Sequence, residues 1–309
     1  MTTVSRLSIG LPVYNGQNYL SKSLDALLGQ SYPDFELIIS DNASTDGTEE
    51  ICRRYAAMDP RIRYIRQPRN IGAAPNHNLV FREARGELFK WASHDDLYGP
   101  DLLARCVEAL DEHPNVVLSH AGMAIIDGAD EIIRGYDYLL ATDSPYAPER
   151  FRSLLLTDGG DDEYGVIRSE VLRRVAPHAS YHNPGRTFVA EIALHGPFHQ
   201  VPELRYFRRD HPDRGVRLPT VRAVCANLDP RRADHPTVRL LGEYVWGYVT
   251  AIRRARLSAA DRRQCYRYLA NWLASRALLA PVHRIENELT LSSISSAAAV
   301  DAERERRAS

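Results

Sequence analysis

The sequence predicts an α/β fold in which a mostly parallel sheet is flanked by helices. Through the first 120 residues, short apolar runs alternate with longer runs whose apolar residues recur at helical spacing. Several apolar runs end in polar or acidic residues, as happens where a buried strand reaches the edge of a sheet. Repeated strand–helix–strand units form parallel sheets with helices on both faces, and their ligands bind at the carboxyl ends of the strands.

The first two strand–helix units are clear. The run LSIGLPV at residues 7–13 predicts a strand, and leucines at helical spacing predict a helix over 20–28. The run FELIIS at 35–40 predicts the second strand. Asp46 and Glu49, three residues apart, predict a capped start for the second helix.

The next units repeat the alternation. RIRYIRQ at 61–67 predicts a third strand, AAPNHNLVFREA at 73–84 a helix, and GELFKWAS at 86–93 a fourth strand that runs into two aspartates. Pro100 suits the first turn of the following helix, where its missing N–H costs nothing. NVVLSHAGMAII at 115–126 predicts a fifth strand.

The pattern then loosens and resumes. Residues 135–162 contain turn residues and short pieces, whereas YGVIRSEVLRRV at 164–175 predicts a strand followed by a helix. TFVAEIALHG at 187–196 predicts a short helix ended by glycine, and FHQVPELRYFRRDHP at 198–212 a strand. The last 90 residues are mostly helical and rich in arginine, with one helix opening at 258–261.

Composition excludes several classes of protein. The 309 residues carry 39 basic and 40 acidic side chains, so the charge balance gives no reason to expect a nucleic-acid partner. No signal-peptide core and no apolar run of membrane-helix length are visible, which predicts a cytoplasmic protein. No pair of cysteines has the spacing of a zinc knuckle or a redox motif. The four thiols are Cys52, Cys106, Cys225 and Cys265.

The stretch KWASHDDLYGP places adjacent carboxylates, Asp95 and Asp96, at the end of an apolar run. Such a pair is costly unless a positive group offsets the repulsion. A divalent cation that bridges carboxylate and phosphate oxygens would do so. The alternative is a turn in which the aspartates cap the next helix.

Two stretches resemble the opening of family 2 glycosyltransferases, which have the GT-A fold: LSIGLPVYNGQNYLSKSLDALLGQSYPDFELIISDNASTDGTEEI and RNIGAAPNHNLVFREARGELFKWASHDD. The strand that leads into His211-Pro212 is similar as well, so the resemblance covers residues 7 to 212. It implies that a sugar moves from a nucleotide diphosphate sugar, most simply a UDP-sugar, to an acceptor hydroxyl with inversion. It also implies Mn²⁺ or Mg²⁺ at a DxD-type motif, which here stands as His94-Asp95-Asp96.

The resemblance assigns roles to particular residues. It makes Asp96 the metal ligand with His211, while Asp95 contacts the ribose hydroxyls or a metal-bound water. His211 and Arg209 would contact the diphosphate, and because successive strand residues face opposite ways, only one of Arg208 and Arg209 lies in the site. The nucleotide-binding residues expected from the resemblance are Pro12, Tyr14, Asn15, Asp41, Arg69, Asn70 and Asp95.

Inverting transfer requires a base for the proton of the acceptor hydroxyl. Glu191, on the short helix at 187–196, is the expected base, against the alternative of a helix-surface glutamate. Similar proteins often carry an aspartate a few residues earlier, where this chain has Asn183-Pro184-Gly185-Arg186 and no carboxylate.

These assignments predict a GT-A catalytic domain over 1–218, with a nucleotide-binding half at 1–120 and an acceptor-binding half at 121–218. A helical region follows at 219–309. The acceptor stays open among a saccharide, a lipid-linked glycan and a small natural product. Arginine clusters suggest peripheral contact with the inner face of a membrane, although a solvated face is the simpler interpretation. A homodimer through the C-terminal aromatic residues is likewise an alternative to their packing in the core.

Two other enzyme activities and one non-catalytic role are the alternatives to glycosyl transfer. A sugar nucleotidyltransferase needs a glycine-rich basic loop after the first strand, which Leu11 to Gly16 does not provide. A dehydrogenase would carry G-x-G-x-x-G at the same place. A non-catalytic protein that binds a nucleotide sugar remains the alternative of a different class.

Overall fold

A computed structural model of the chain describes residues 4–157, 161–212, 218 and 220–276. Contacts divide the chain into two units, Met1–Cys265 and Tyr266–Ser309, and the sheet and the cavities below lie in the first. The strands are β1 Leu7–Val13, β2 Phe35–Asp41, β3 Ile62–Arg66, β4 Leu88–Trp91, β5 Leu97–Tyr98, β6 Leu118–Ile126, β7 Ile132–Tyr136, β8 Val166–Arg168 and β9 Phe198–Arg209.

The helices follow the same alternation. They are α1 Leu20–Leu28, α2 Thr48–Met58, α3 Ala73–Glu83, α4 Leu102–Glu112, α5 Ala147–Leu156, α6 Ser169–Leu172, α7 Pro184–Ala193, α8 Val221–Leu228 and α9 Thr237–Arg254. A further helix, α10, covers 259–276 as far as the structure describes it. Ser258 accepts a hydrogen bond from the Asp261 N–H at 3.1 Å, which is the predicted start of that helix.

The described strands form one sheet in the order β3-β2-β1-β4-β8-β6-β9-β5, with β7 paired to β6. The pairs β1·β2, β1·β4, β2·β3 and β6·β9 are parallel, whereas β8 lies antiparallel between β4 and β6. The predicted mostly parallel sheet flanked by helices is therefore confirmed. The antiparallel strands enter only beyond β4, where the sequence pattern becomes irregular.

The core is built where the pattern predicted it. Leu20, Leu24 and Leu27 of α1 are fully buried and pack with the apolar residues of β1 and β2, while Leu28 is only partly buried. Burying such side chains contributes about 1.5–3 kcal/mol each. In α9, Tyr248 is fully buried, whereas Trp246 is 58% exposed.

Several local expectations are corrected. Asp46 accepts hydrogen bonds from the Thr48 N–H and hydroxyl, but Glu49 pairs with Arg53 and Arg66 instead of closing a capping box. Pro100 lies two residues before α4, because β5 intervenes after the aspartates. The irregular segment at 135–162 contains α5 and the end of β7. The helix α7 begins at Pro184, three residues before its predicted start.

Candidate functional site

A cleft of about 800 Å³ opens at the carboxyl ends of β1 and β4. Its lining includes six residues expected in the site from the sequence, and it leaves out five others. The six that it brings together are Pro12, Tyr14, Asn15, Asn70, Asp95 and His211. The five that do not line it are Asp41, Arg69, Asp96, Glu191 and Arg209.

The turn after β1 forms one wall of the cleft. Asn15 has a left-handed backbone (φ 51°), and its side-chain oxygen accepts a hydrogen bond from the Thr45 N–H at 2.9 Å. The Asn15 N–H in turn donates to Ser44 Oγ at 2.9 Å. Gly16 is required because a Cβ there would lie 2.6 Å from the His94 ring. This turn leaves the Tyr14 ring 43% exposed on the cleft wall.

Asp41 shapes the second turn instead of facing the cleft. Its fully buried carboxylate accepts hydrogen bonds from the Ser44 N–H at 2.8 Å and the Tyr64 hydroxyl at 2.9 Å. Burial and this carboxylate raise the pKa of Tyr64 well above its usual range. The sequence predicts a contact of Asp41 with the nucleobase, and in the structure Asp41 does not line the cleft. The cleft is lined instead by the next residue, Asn42.

Asn42 and Asn70 hold two loops together at the cleft. The Asn42 amide donates to Asn70 Oδ1 at 2.9 Å, and its oxygen accepts from the Ile71 N–H at 2.8 Å. Asn70 Oδ1 also accepts from the N–H of Gly72, whose φ is +92°. Arg69 is exposed and does not line the cleft, so the neighbouring Asn70 is the residue of this loop that the structure brings to the site.

Asp95 and Asp96 have opposite surroundings. Asp96 is fully buried and accepts hydrogen bonds from the Tyr206 hydroxyl and the Arg209 N–H, which tie the end of β4 to β9. Asp95 lines the cleft. Both oxygens of Asp96 thus have protein donors behind the cleft wall, whereas the adjacent carboxylate of Asp95 faces the cleft.

Asp95 and His211 form a pair on the cleft wall. The His211 Nε2 atom lies 2.9 Å from Asp95 Oδ2, and the exposed fractions of the two side chains are 9% and 6%. The Ser93 hydroxyl donates to the other carboxylate oxygen. Among the described residues, no group of three or more His, Cys, Asp or Glu side chains surrounds a common point. One carboxylate and one imidazole fit a cation that takes its remaining ligands from phosphates and water.

Arg209 is a structural residue of β9. Its fully buried guanidinium donates to the Asp95 carbonyl at 2.8 Å, pairs with Asp130, and lies 4.5 Å from the centre of the Tyr19 ring. The sequence predicts a contact of Arg209 with a diphosphate, whereas in the structure the neighbouring Arg208 lines the cleft. The alternation of strand residues left these two arginines as alternatives, and only the tertiary structure decides between them.

Glu191 lines a different cavity. This second pocket, of about 540 Å³, lies beside α7 and α9, and Glu191 is 3% exposed within it. Its carboxylate accepts from the Ala176 N–H at 3.1 Å and lies 3.3 Å from Arg254 Nη1. Burial raises the pKa of this carboxyl group. The two cavities share the lining residues His178 and Pro184, so they are neighbours.

The structure adds a cleft residue that the sequence prediction missed. Glu163 lies in a 3₁₀ turn, Asp161–Tyr164, just before β8, and lines the cleft. Its carboxylate is 3.2 Å from His178 Nε2, and its side chain is 12% exposed. The acidic run DDEY was the available signal, but it falls in the segment whose pattern is irregular.

A buried lysine supports that turn from below. Lys90 of β4 is 1% exposed and donates a hydrogen bond to the Tyr164 carbonyl. Its ammonium group lies 5.1 Å from the Tyr98 ring and 5.7 Å from the Tyr206 ring, within cation–π range. Burial lowers the pKa of Lys90 to about 8.

The mixed sheet, with helices on its faces and a cleft at its strand ends, is the architecture of GT-A glycosyltransferases. Residues 8–175 match the description "Glycosyl transferase family 2", more than half of the 309-residue chain. The chain therefore belongs to glycosyl transferase family 2, and the resemblance inferred from its sequence motifs is confirmed.

Curated relatives are similar over part of their length. EpsE, a putative glycosyltransferase of Bacillus subtilis, is 34% identical over 128 residues, which are 41% of this chain and 46% of EpsE. An uncharacterized glycosyltransferase of Rickettsia typhi is 32% identical over 145 residues, 47% of this chain and 43% of that protein. The matched region thus spans less than half the length of either relative.

Solved structures share the fold at low identity. S. aureus TarS 1-349 is 18% identical with a TM-score of 0.62, over 88% of this chain and 73% of that one. The mannosyltransferase PcManGT from Pyrobaculum calidifontis, solved with GDP-Man and Mn²⁺, is 21% identical with a TM-score of 0.54, over 94% and 81%. None of the described helices is long and apolar enough to cross a membrane.

Proposed function

We propose that this protein is an inverting glycosyltransferase that moves a sugar from a nucleotide diphosphate sugar to an acceptor hydroxyl. The observation that carries the proposal is the Asp95–His211 pair, which lies in one cleft with residues from the turns after β1 and β2. Such a cleft at strand ends is the usual ligand site of this kind of sheet. Family membership supports glycosyl transfer as the reaction.

The nucleotide would occupy the wall formed by the two turns. The exposed Tyr14 ring offers a flat apolar surface to a base. Asn15, Asn42 and Asn70 offer amide groups to the base and the ribose. Arg208, which also lines the cleft, would contact a phosphate. Because of these positions, we propose that Asn42 contacts the nucleobase in place of Asp41. We likewise propose that Arg208 contacts the diphosphate in place of Arg209.

Asp95 and His211 would hold a divalent cation, Mn²⁺ or Mg²⁺. When bound, such a cation neutralises the diphosphate as it leaves, so no acid is required on that side. The Ser93 hydroxyl and the buried frame around Asp96 keep the Asp95 carboxylate oriented toward the cleft. Asp96 would act through this frame and would not touch the cation.

The donor we propose is a uridine diphosphate sugar, with a guanosine diphosphate sugar as the second candidate. The support is that TarS has been solved with UDP and with UDP-GlcNAc, and PcManGT with GDP-Man. The second pocket beside α7 and α9 is the place where an acceptor would enter, since it borders the cleft at His178.

The test is a thermal-shift screen with UDP-GlcNAc and GDP-mannose, each with and without Mn²⁺, followed by measurement of nucleoside diphosphate release. A bound donor raises the melting temperature by mass action, and we expect the shift to depend on Mn²⁺. Release of diphosphate separates an enzyme from a non-catalytic binder. A protein that neither shifts nor releases diphosphate with any tested donor contradicts the proposal.

A further inference from the structure

We propose that Glu163 is the catalytic base, a role that the sequence pattern assigned to Glu191. This inference rests on the proposed function and adds a residue to it. Among the described residues, the carboxylates that line the cleft are those of Asp95 and Glu163. Since Asp95 is placed with His211 at the cation, Glu163 is the carboxylate left to accept a proton in the same cavity.

Glu163 lies beside the start of α7, a segment that has no carboxylate of its own. The start of α7 carries no carboxylate, and its second residue is Gly185. A Cβ built on Gly185 would lie 3.2 Å from Glu163 Oε1 and 3.3 Å from Oε2. The glutamate carboxylate thus occupies the space that a side chain at position 185 would enter. A carboxylate stands there, but a different segment of the chain supplies it.

The surrounding residues fix this carboxylate. His178 Nε2 is 3.2 Å from Oε2, and because an ionised carboxylate only accepts, the imidazole donates in this hydrogen bond. The His178 backbone is anchored in turn by Asn78, which bonds both its N–H and its carbonyl. Lys90 holds the carbonyl of Tyr164, the residue after Glu163. His178 is therefore a positioning residue for Glu163.

The location also fits the direction from which an acceptor would come. His178 lines both the cleft and the second pocket, and Glu163 lies beside it on the cleft side. Glu191 lies within the second pocket, where Arg254 and the Ala176 N–H engage its carboxylate. A hydroxyl that reaches the donor sugar from the second pocket would pass Glu163 last.

In the proposed step, the acceptor oxygen forms a bond to the anomeric carbon of the donor. The bond from that carbon to the β-phosphate oxygen breaks, and its electron pair leaves on the nucleoside diphosphate. The proton of the acceptor hydroxyl passes to the Glu163 carboxylate. Atoms and charges balance with no further reactant, and water can replace the acceptor in a slow hydrolysis.

The experiment compares Glu163→Gln with the matched change Glu191→Gln in the neighbouring pocket. The probe is Mn²⁺-dependent release of diphosphate to water from whichever of UDP-GlcNAc or GDP-mannose shifts the melting temperature. We expect E163Q to lose about 10²–10³-fold in release rate, typical of a missing base. Its donor-induced thermal shift should stay at the wild-type value, and E191Q should lose far less in rate than E163Q.

A second variant pair keeps the test decisive if Glu163→Gln perturbs the turn. In E163A the space beside Gly185 is open, so E163A/G185D returns a carboxylate to it from α7, where an acid suits the first helical turn. We expect the double variant to regain at least about tenfold over E163A, within the range of general-base catalysis. A structural defect at the turn would not be repaired from another segment.

The outcomes separate the two proposals. A wild-type protein that binds and turns over no donor removes the proposed function, and this inference with it. An active wild type with E163Q at the same rate overturns the inference alone, as does a large loss in E191Q only. A loss in E163Q without any recovery in E163A/G185D assigns Glu163 a structural role and also overturns it.

Discussion

Buried carboxylates at the strand ends and in the second pocket have different surroundings. At the strand ends, Asp41 and Asp96 are fully buried but accept hydrogen bonds from backbone N–H and tyrosine hydroxyl groups. In the second pocket, Glu191 is nearly as buried, yet it accepts one N–H and has one arginine at 3.3 Å. Burial raises the pKa of the Glu191 carboxyl group.

The difference in surroundings follows from the position of each carboxylate, at a strand end or on the face of a helix. At each strand end one backbone N–H and one tyrosine hydroxyl stabilise the carboxylate, and Arg66 Nε also lies 3.8 Å from Asp41 Oδ2. A helix face offers no free N–H groups in its middle, so a glutamate there depends on neighbours. Asp41 and Asp96 therefore fix the turns behind the cleft wall, whereas Glu191 lines the second pocket itself.

The largest expected effect is on Asp95→Asn. This change removes the charge that would meet the cation but keeps the size of the side chain, so we expect diphosphate release to fall on the order of 10²-fold or more. The measurement is the release rate at several Mn²⁺ concentrations. A D95N protein that keeps wild-type turnover would show that the cation site lies elsewhere.

The adjacent change Asp96→Asn should instead act on stability. The Tyr206 hydroxyl and the Arg209 N–H would lose a charged acceptor, and such bonds contribute about 1.5–3 kcal/mol each. We expect the free energy of unfolding, measured with urea, to fall by about 2 kcal/mol. D95N serves as the matched control, since its side chain lines the cleft. Equal stability of D96N and wild type would contradict the frame role.

The smallest effect is expected for Glu191→Gln, in its dependence on pH. Because burial raises the pKa of Glu191, the folded state holds a proton that the unfolded state releases once the pH exceeds its ordinary value of 4.5. Wild-type stability should therefore lose a contribution as the pH rises from 4.5 through the raised pKa.

Glutamine at position 191 does not titrate, so this pH-dependent loss of stability should be absent in E191Q. Urea unfolding of E191Q and wild type from pH 4 to pH 7.5 checks it. We expect E191Q to gain stability relative to wild type as the pH rises. A difference that stays constant with pH would show that the carboxyl group is ionised normally in the folded protein.

The strand–helix pattern of the first 120 residues predicted most of the strands and helices found there. LSIGLPV and FELIIS alternate cleanly with leucine-patterned helices, and their ends fell within one residue of β1 and β2. The elements after residue 120 were harder to predict from the sequence. The helix α5 lies in a segment of turn residues, β7 ends at the start of that segment, and β8 is only three residues long. Such short elements are stabilised by their sheet neighbours and leave little periodic signal.

The sequence placed the candidate site at the strand ends, and at two positions the residue that lines the cleft is the neighbour of the predicted one. Asn42 lines the cleft instead of Asp41, and Arg208 instead of Arg209. At a strand end the chain leaves its regular alternation, so the side that a residue faces depends on the turn that follows. Glu163 was missed because its partners, His178 and Gly185, are distant in sequence.

The sequence by itself determined the α/β class, the strand ends at which polar residues collect, and the membership of the chain in its family. These properties follow from local periodicity and from short motifs that need no knowledge of contacts. Only the tertiary structure decided which of two adjacent carboxylates faces the cleft and which glutamate stands beside it. Those choices depend on hydrogen bonds that β9 and the 3₁₀ turn before β8 form with residues more than 70 positions away in the sequence.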